Sequence, residues 1–353
     1  MKNSIKNISS FKLPFLFSLE IYVDMGTSFT RIGVKDKGIV LREPSYIGYN
    51  NKIKEYIFYG AEAKTVQGKT PNFIEIVRPV VNGILYDFDG QVAYLKHAID
   101  TSVKPYLNEF RLIKPPLRAI SCVPHIATEI ERRAVEESLE KAGCQRVIMV
   151  EKALATASGC GFDIFSHEPQ FIIDMGGGMI ELSIISGGGV VAQKTLKNAG
   201  EHMDKMVANY CYLKYGIVIG ESTASKLKER LLTFKESKEM VEVRGKSLET
   251  GLPKSIKMKA TDMREALAPQ CNAIIDSAKE LFEQSPPEIA DTIYKKGVSL
   301  TGGLASVSGI DQYIAKELQI ETHIPTRHLD ATVYGLMQLG KQPESLRKII
   351  GTI

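Results

Sequence analysis

Apolar residues along this chain recur with either the two-residue period of a strand or the longer period of a helix. The two-residue period marks two similar segments, one in each half of the sequence. In the first, the apolar run 21–23 ends in Asp24, a turn containing glycine follows, and alternation resumes at Arg31. In the second, the run 171–173 ends in Asp174, and alternation resumes at Glu181 after a turn of three glycines. Each segment predicts a strand, a tight turn and a second strand.

Helical spacing of apolar residues fills much of the remaining chain. The clearest helix runs from Thr128 to Ala142, where apolar residues recur among charges and Gly143 supplies a stop. Further helices are predicted near 91–100, 153–158, 201–215, 222–232, 261–283 and 310–318, and buried strands near 120–123 and 147–150. The order of strand meander, helix, strand and helix occurs in both halves. It predicts an α/β fold with mixed sheets in duplicated domains.

The two strand-turn-strand segments carry candidate chemistry for a nucleotide. Glycine in a turn lets backbone N–H groups approach an anion without an intervening Cβ atom, which suits phosphate groups. Asp24 and Asp174, at the two strand ends, suit Mg²⁺, which is held by one or two carboxylates and by phosphate oxygens. The simpler interpretation is that Asp-x-Gly turns are common in hairpins and that the repetition is coincidental. A third glycine turn at 300–303 weakens that interpretation.

Composition excludes several classes of protein. With 353 residues, of which 44% are apolar and 24% charged, the chain can bury at least two cores. The net charge of +4 is dispersed among acidic residues, so a nucleic-acid partner is poorly supported. The five cysteines show no close pairing, which argues against a zinc site or a disulfide framework and fits a reducing cytoplasm.

Neither a membrane span nor a signal peptide is predicted. The sequence contains no apolar stretch approaching the roughly 18 residues that a spanning helix needs. The first 18 residues combine lysines with an apolar patch, but Pro14 interrupts the patch and no cleavage site follows. An added strand, a disordered lead-in and a peripheral anchor all remain open for this segment.

The glycine turns resemble those of the actin, Hsp70 and sugar-kinase superfamily, and within it the chain resembles the MreB family of bacterial actins. The resemblance spans about 21–340. It includes family-level stretches at 37–45, 78–83, 131–137, 243–254 and 286–290. It implies an actin-like fold of duplicated ribonuclease-H-like domains with two small inserted subdomains. The implied divisions are an N-terminal extension at 1–20; subdomain IA at 21–47, 81–162 and 333–353; IB at 48–80; IIA at 163–199 and 262–332; and IIB at 200–261.

The same resemblance implies ATP and Mg²⁺ as ligands and assigns residues to them. Asp24 and Asp174 would hold Mg²⁺, through water. The residues implied for the nucleotide are Thr27, Ser28 and Phe29 in the first phosphate loop, Gly176, Gly177 and Gly178 in the second, Gly302, Gly303, Leu304 and Ala305 in the adenosine loop, and Ser225, Lys228 and Glu229 near the ribose and base. From the residues alone, 228–230 is better explained as a solvated charged face.

Two departures from the family pattern concern hydrolysis. The family's glutamate-glutamate-proline stretch is replaced by Glu151-Lys152-Ala153, and its two threonines after the second loop by Met179 and Ile180. A protonated lysine has no lone pair with which to orient a water molecule, and methionine offers no hydroxyl. Binding with weak hydrolysis is therefore predicted, and no catalytic residue is assigned, because Lys152 and Met179 occupy the family's hydrolytic positions. It remains open whether Glu151 substitutes for the missing acid or Lys152 steadies the γ-phosphate.

Two smaller departures fall in the binding loops. Phe29 stands where the family often has asparagine, and Leu304 where a third glycine is usual. Because Asp24 and Asp174 remain, nucleotide binding is expected to be retained.

The resemblance also implies filaments and a membrane surface. It predicts self-association into paired protofilaments, possible co-assembly with related MreB paralogues, and a cytoplasmic, peripheral position at the inner face of the cell membrane. The residues proposed for the anionic membrane surface are Leu107, Phe110, Leu112 and Ile113, and the alternative is an ordinary, partly buried loop. The implied function is control of cell shape, with helicity and motility left open. A small-molecule kinase of the superfamily is the alternative function, although no cleft acid with motif support is present for it.

Overall fold

The computed structural model describes residues 18–110 and 114–351. Within these residues, eighteen strands form five sheets. The strands are β1 (Leu19–Met25), β2 (Phe29–Val34), β3 (Gly38–Pro44), β4 (Ile47–Asn50), β5 (Glu55–Tyr59), β6 (Ile74–Val77), β7 (Val80–Val81), β8 (Ile84–Leu85), β9 (Leu117–Val123), β10 (Arg146–Glu151), β11 (Gln170–Met175), β12 (Ile180–Ser186), β13 (Gly189–Leu196), β14 (Ile217–Val218), β15 (Met240–Ser247), β16 (Pro253–Lys259), β17 (Val298–Thr301) and β18 (Thr322–His323).

Twelve α-helices accompany these strands in the described part of the chain. They are α1 (Gly60–Val66), α2 (Phe88–Ser102), α3 (Lys104–Leu107), α4 (Glu129–Lys141), α5 (Lys152–Gly159), α6 (Gly200–Tyr215), α7 (Glu221–Leu231), α8 (Ala260–Glu283), α9 (Pro287–Lys296), α10 (Ile310–Leu318), α11 (Ala331–Lys341) and α12 (Pro343–Gly351). A short 3₁₀ helix covers Gly303–Ser306. No helix among the described residues is long and apolar enough to cross a membrane.

Two five-stranded sheets have the same topology. The first sheet has the order β3-β2-β1-β9-β10, in which β1 to β3 form an antiparallel meander and β9 and β10 add in parallel. The second sheet has the order β13-β12-β11-β17-β18 with the same directions. The prediction of an α/β fold with mixed sheets in duplicated domains is therefore confirmed.

Side chains alternate along the first strand of each large sheet, so the two faces of that strand pack into different cores. Ile21 and Val23 pack in the core that includes α2 and α4, whereas Tyr22 packs with α5 and α11. In the second sheet, Ile173 packs toward α6 and α8, whereas Ile172 joins the same α5 and α11 core as Tyr22. Helices α5 and α11 therefore lie between the two sheets. Because side chains alternate along a strand, Asp24 and Asp174 share the face that is turned toward these helices.

Helices α5 and α11 approach closely because both carry glycine at their contact. A Cβ atom on Gly159 would lie 1.7 Å from the carbonyl oxygen of Ala331, and one on Gly335 would lie 1.7 Å from that of Ala155. The helix predicted near 153–158, which is rich in small residues, thus packs closely against α11. This packing fixes α5, and with it the start of the helix at Lys152.

Two smaller three-stranded sheets are inserted into this frame. The sheet β5-β4-β6 follows the first meander, and the sheet β14-β15-β16 lies between α6 and α8. Thr128, the predicted start, is the N-cap of helix α4: its hydroxyl accepts from the N–H of Glu131, while the Glu131 carboxylate accepts from the N–H of Thr128. Helix α2 begins earlier than predicted, because the Asp87 side chain caps it by accepting from Gly90 N–H at 2.9 Å.

Candidate functional site

A cleft of about 810 Å³ opens between the two large sheets. That volume suits a small organic ligand, since ligand pockets typically span roughly 300–1,000 Å³. The cleft brings together all three glycine turns that the sequence separates. The predicted residues among its walls are Asp24, Thr27, Ser28, Phe29, Lys152, Asp174, Gly176, Gly177, Gly178, Met179, Ser225, Lys228, Glu229, Gly302, Gly303 and Leu304. Ala305 is fully buried and does not line it.

The turns of the two hairpins are built alike. Gly26 N–H donates to the carbonyl of Phe29 at 3.0 Å, and Gly176 N–H donates to the carbonyl of Met179 at 3.0 Å. In the strands behind them, Asp24 stands opposite Arg31 and Asp174 opposite Glu181. Phe29 and Met179 therefore occupy equivalent positions at the ends of their turns.

The two turns also face each other at contact distance. A Cβ atom on Gly177 would lie 1.9 Å from Ser28 Oγ, and one on Gly178 would lie 2.2 Å from Thr27 Oγ1. Gly302 of the third turn has φ +84°, and a Cβ there would lie 2.4 Å from the carbonyl oxygen of Met175. Only glycine fits at these positions. The bare backbone that they leave is the arrangement that binds phosphate groups.

Side chains of the first turn are held by neighbouring loops. Thr27 Oγ1 accepts from Gly83 N–H at 2.8 Å, and Ser28 Oγ donates to Glu201 Oε1 at 2.9 Å. The Phe29 ring lies at the cleft wall, 5.5 Å from Lys64 Nζ. The first turn is therefore joined to the second half of the molecule through Glu201.

Asp174 is engaged by a cation from helix α5. Lys152 Nζ donates to Asp174 Oδ2 at 2.6 Å and to Glu181 Oε2 at 2.7 Å, while the Thr301 hydroxyl donates to Asp174 Oδ1 at 3.1 Å. Burial works to lower the pKa of Lys152, but the charges of Asp174, Glu181 and Asp24 outweigh it and hold that pKa well above its usual range. Burial likewise works to raise the pKa of Asp174, and the Lys152 charge outweighs it, so the pKa is lowered. Both groups are charged at neutral pH.

Asp24 has a different environment. Arg31 Nη1 lies 3.5 Å from Asp24 Oδ2. Burial raises the pKa of Asp24, and the charges of Arg31 and Lys152 offset this only in part. Both predicted magnesium ligands thus already face cations, and Asp174 has a donor on each oxygen. Because a divalent ion beside these carboxylates would also face the Lys152 ammonium and the Arg31 guanidinium, the charge arrangement does not fit a site in which they hold Mg²⁺. Among the described residues, no cluster of three or more His, Cys, Asp or Glu side chains could hold a metal ion.

The structure bears on one of the two explanations that the sequence left open at the hydrolytic position, the substitution of Glu151 for the missing acid. Glu151 Oε1 lies 2.7 Å from His125 Nδ1, and Glu151 is not among the residues that line the cleft. Substitution by Glu151 therefore has no structural support. Met179 is buried, and its side chain packs over Gly83, where a Cβ would lie 2.6 Å from the Met179 methyl carbon. An apolar group thus stands at the end of the second turn.

A family model described as MreB/Mbl protein matches residues 18–348. The chain belongs to the MreB/Mbl family. The cell shape-determining protein Mbl of Bacillus subtilis (strain 168) is 34% identical over 322 residues, which is 91% of this chain and 95% of that protein. The cell shape-determining protein MreB of Escherichia coli (strain K12) is 34% identical over 315 residues, which is 88% of this chain and 89% of that protein.

Solved structures confirm the actin-like fold expected for an MreB/Mbl protein. MreB5 of Spiroplasma citri bound to ADP superimposes with a TM-score of 0.87 at 31% identity, covering 94% of this chain and 98% of that one. The MamK double helical filament structure superimposes with a TM-score of 0.77 at 18% identity over 92% of this chain and 99% of that one, which supports the fold alone. The kinase alternative is not favoured by these relationships.

Helix α7 of this MreB/Mbl chain combines a buried lysine with exposed charges. Lys228 is 9% exposed, its Nζ lies 2.7 Å from Asp204 Oδ1, and it donates to the carbonyl of Gly200. Glu229 and Arg230 are exposed. The interpretation of 228–230 as a solvated face is therefore wrong for Lys228, because the helix turns that side chain inward. Lys228 instead ties α7 to the start of α6 at the cleft wall.

The sequence analysis missed an ion-pair cluster that crosses the cleft, called here the Arg78 latch and formed by Arg78, Tyr46, Glu201 and Glu221. Arg78 Nη1 donates to Glu201 Oε2 at 2.7 Å, and Nη2 donates to the Tyr46 hydroxyl at 2.6 Å and to Glu221. The charges of Glu201, Tyr46 and Glu221 raise the pKa of Arg78 against the effect of its burial. Arg78 belongs to a family-level stretch, but nothing in the sequence pairs it with residues more than 100 positions away.

Two of the four predicted membrane residues, Leu107 and Phe110, lie among the described residues. Leu107, the last residue of α3, is half-buried, and Phe110 is 40% exposed. Leu112 and Ile113 lie outside the described residues, as do residues 1–17 of the predicted N-terminal extension.

Proposed function

We propose that this chain binds ATP in its cleft and polymerises into membrane-associated filaments that govern cell shape, with weak ATP hydrolysis. The observation that carries the binding proposal is the pair of facing turns, where Gly177 and Gly178 leave no room for a side chain. Structures of MreB5 from Spiroplasma citri bound to ADP and to AMPPNP support the same ligand class.

In this proposal, the backbone N–H groups of the first two turns bind the phosphates. Gly302, Gly303 and Leu304 enclose the adenosine together with Ser225, Lys228 and Glu229, and Ala305, next in the chain, is buried. Mg²⁺ would supply counter-charge to the phosphates in a protein of this type. Because Asp24 and Asp174 already face Arg31 and Lys152, no step is assigned to the metal here.

Weak hydrolysis follows from what surrounds the proposed phosphate site. Phosphoryl transfer depends on positioning the attacking water, and each missing positioned base typically costs about 10²-fold in rate. Lys152 is bound to Asp174 and Glu181, Met179 is apolar, and Glu151 faces His125. None of these three side chains offers a free acceptor to a water molecule beside the second turn.

The test combines pelleting with phosphate release. The purified chain is sedimented with and without ATP, pellets are imaged by electron microscopy, and inorganic phosphate is measured in the same samples. We expect ATP-dependent filaments and phosphate release at least about 10²-fold slower than that of MreB5 from Spiroplasma citri measured alongside. Release at a comparable rate contradicts weak hydrolysis, and the absence of filaments contradicts polymerisation.

Membrane association is tested separately by liposome flotation. The proposal uses Leu107 and Phe110, together with Leu112 and Ile113, against anionic lipid. The double variant Leu107→Ser/Phe110→Ser should lose co-flotation with anionic vesicles while keeping its pelleting behaviour. Unchanged flotation of this variant would leave the loop as an ordinary surface segment. The subdomain boundaries, the paired protofilaments, co-assembly with related paralogues and the cytoplasmic, inner-membrane position remain part of the proposal.

A further inference from the structure

The base of the cleft contains a buried ammonium group that neither a pure phosphate loop nor a carboxylate metal site requires. Lys152 begins helix α5, and its side chain is only 17% exposed. Its Nζ lies 2.6 Å from Asp174 and 2.7 Å from Glu181, and Lys152 lines the same cleft as the facing glycine turns. Because α5 is locked against α11 through Gly159 and Gly335, this cation is held in place by packing.

The charges around this ammonium can be counted directly. Four acids, Asp24, Asp174, Glu181 and Asp330, face three cations, Lys152, Arg31 and Arg42. The acids at this end of the cleft are therefore mostly neutralised by the protein itself. An incoming polyphosphate meets paired rather than uncompensated carboxylates, so its repulsion from Asp24 and Asp174 is reduced without an added ion.

The same contacts work against a divalent ion at this position. Asp174 already accepts a hydrogen bond on each oxygen, from Lys152 on Oδ2 and from Thr301 on Oδ1, so a bound ion or its waters would share these oxygens with the two donors. A divalent cation placed beside Asp174 would also lie close to the Lys152 ammonium, and like charges at such distances repel strongly in a partly buried site.

We propose that Lys152 serves as the built-in counter-charge for the nucleotide phosphates, so that this chain binds adenine nucleotide almost independently of divalent cations. This inference rests on the proposed nucleotide binding and specifies it. The ligand class is a metal-free nucleoside triphosphate. Lys152 acts by charge and position at the phosphate end of the cleft.

The test is isothermal titration calorimetry of the full chain with AMPPNP, once in excess Mg²⁺ and once in EDTA. AMPPNP removes hydrolysis from the measurement. We expect dissociation constants that agree within about threefold between the two conditions, a small difference on the affinity scale. Weakening in EDTA by more than about threefold overturns the inference but leaves the proposed function intact. No binding in either condition overturns both.

Variants locate the effect at Lys152. Lys152→Gln keeps a hydrogen-bond donor toward Asp174 but removes the charge, and it should weaken binding in EDTA by at least about tenfold, with recovery in Mg²⁺. Lys152→Arg should behave as the parent does. Lys214→Gln is the matched control, because Lys214 also pairs with two carboxylates, Asp262 and Glu265, but lies outside the cleft. Parent-like binding of Lys152→Gln in EDTA overturns the inference. If that variant does not fold, the comparison of AMPPNP binding by the parent in Mg²⁺ and in EDTA decides the question alone.

Discussion

At the residue scale, the two hairpins differ in how they neutralise their acids. Asp24 stands opposite Arg31 in its own hairpin, so the cation comes from the neighbouring strand. Asp174 stands opposite Glu181, a second acid, so its cation must come from elsewhere. Lys152 supplies it from helix α5. Two buried carboxylates side by side would be costly without such a partner, which gives the departure at Lys152 a structural reason as well as a functional one.

A second residue-scale contact gives a dependence on pH. Asp330, just before α11, accepts from Arg42 Nη2 at 2.8 Å and from Arg31 Nε at 3.1 Å. Burial works to raise the pKa of Asp330, but hydrogen bonds and charge from Arg42, together with Arg31, outweigh it and lower the pKa. A lowered pKa means that the stabilisation is present above the ordinary aspartate value and is lost as the pH falls through the folded value.

We therefore expect Asp330→Asn to reduce the free energy of unfolding by about 1 kcal/mol at pH 7, a modest amount because the pair is partly exposed. The difference from the parent should stay constant down to about pH 5 and shrink below about pH 4, where the unfolded carboxyl protonates. Urea unfolding at a series of pH values from 7 to 3 measures it, with the exposed Glu249→Gln as control. A difference that stays constant to pH 3 contradicts this account.

At the element scale, the position of the site depends on the packing of α5 against α11. Gly335 faces the backbone of α5, where an added Cβ would overlap the carbonyl oxygen of Ala155 at 1.7 Å. Backbone atoms cannot rotate away as a side chain can, so the helices must separate. Any separation also moves Lys152 relative to Asp174, because Lys152 is the first residue of α5.

Gly335→Ala should therefore lower the free energy of unfolding by about 2–3 kcal/mol, the upper range for overpacking of a well-packed interior. Urea unfolding of this variant against the parent measures the loss. Gly189→Ala is the control, since a Cβ at Gly189 meets nothing within 4 Å and its φ is not in the left-handed region. Equal stability of Gly335→Ala and Gly189→Ala would mean that the two helices shift apart without cost.

The sequence predicts the strands and helices themselves better than it predicts which elements they pair with. Alternation at 21–34 and 171–186 predicts both hairpins, and helical spacing predicts α4 and α8, because these patterns reflect one buried face along a continuous segment. The two-residue strands β7, β8, β14 and β18 carry no such pattern. Their pairing depends on neighbours that the local sequence does not specify.

For the site residues as well, the sequence predicts local features but not the contacts between distant parts of the chain. The glycine turns were predictable, since bare backbone after an acid is a local signal. The partners of Lys152 were not, because Asp174 and Glu181 lie more than 20 positions away and reach it only when α5 packs between the sheets. Lys228 illustrates the opposite error: its charged neighbours indicated a solvated face, but the helix turns it onto Asp204.

At the scale of the whole molecule, contacts between the two halves of the chain bridge the cleft. Arg78 of the Arg78 latch follows β6 and binds Glu201 of α6 and Glu221 of α7. Gln67 adds a hydrogen bond to Glu221 at 3.1 Å, and Ser28 adds one to Glu201 at 2.9 Å. Burial raises the pKa of Glu201, and the charge of Arg78 offsets this only in part. Removing Arg78 leaves Glu201 and Glu221, both on the α6 and α7 wall, without the cation that joins them to the other wall.

Arg78→Ala should therefore both destabilise the protein and open it. Breaking a buried pair by removing one partner costs about 3 kcal/mol in the free energy of unfolding, and urea titration measures that loss. Small-angle X-ray scattering should show a larger radius of gyration, because the ion pairs from Arg78 to Glu201 and Glu221 no longer join the two walls of the cleft. Arg78→Lys should recover little, since an ammonium cannot serve Glu201, Glu221 and Tyr46 with the planar fork of a guanidinium. The exposed Arg244→Ala is the control and should match the parent in both measurements. A loss of stability with an unchanged radius of gyration would mean that Arg78 packs locally and that other contacts hold the two halves together.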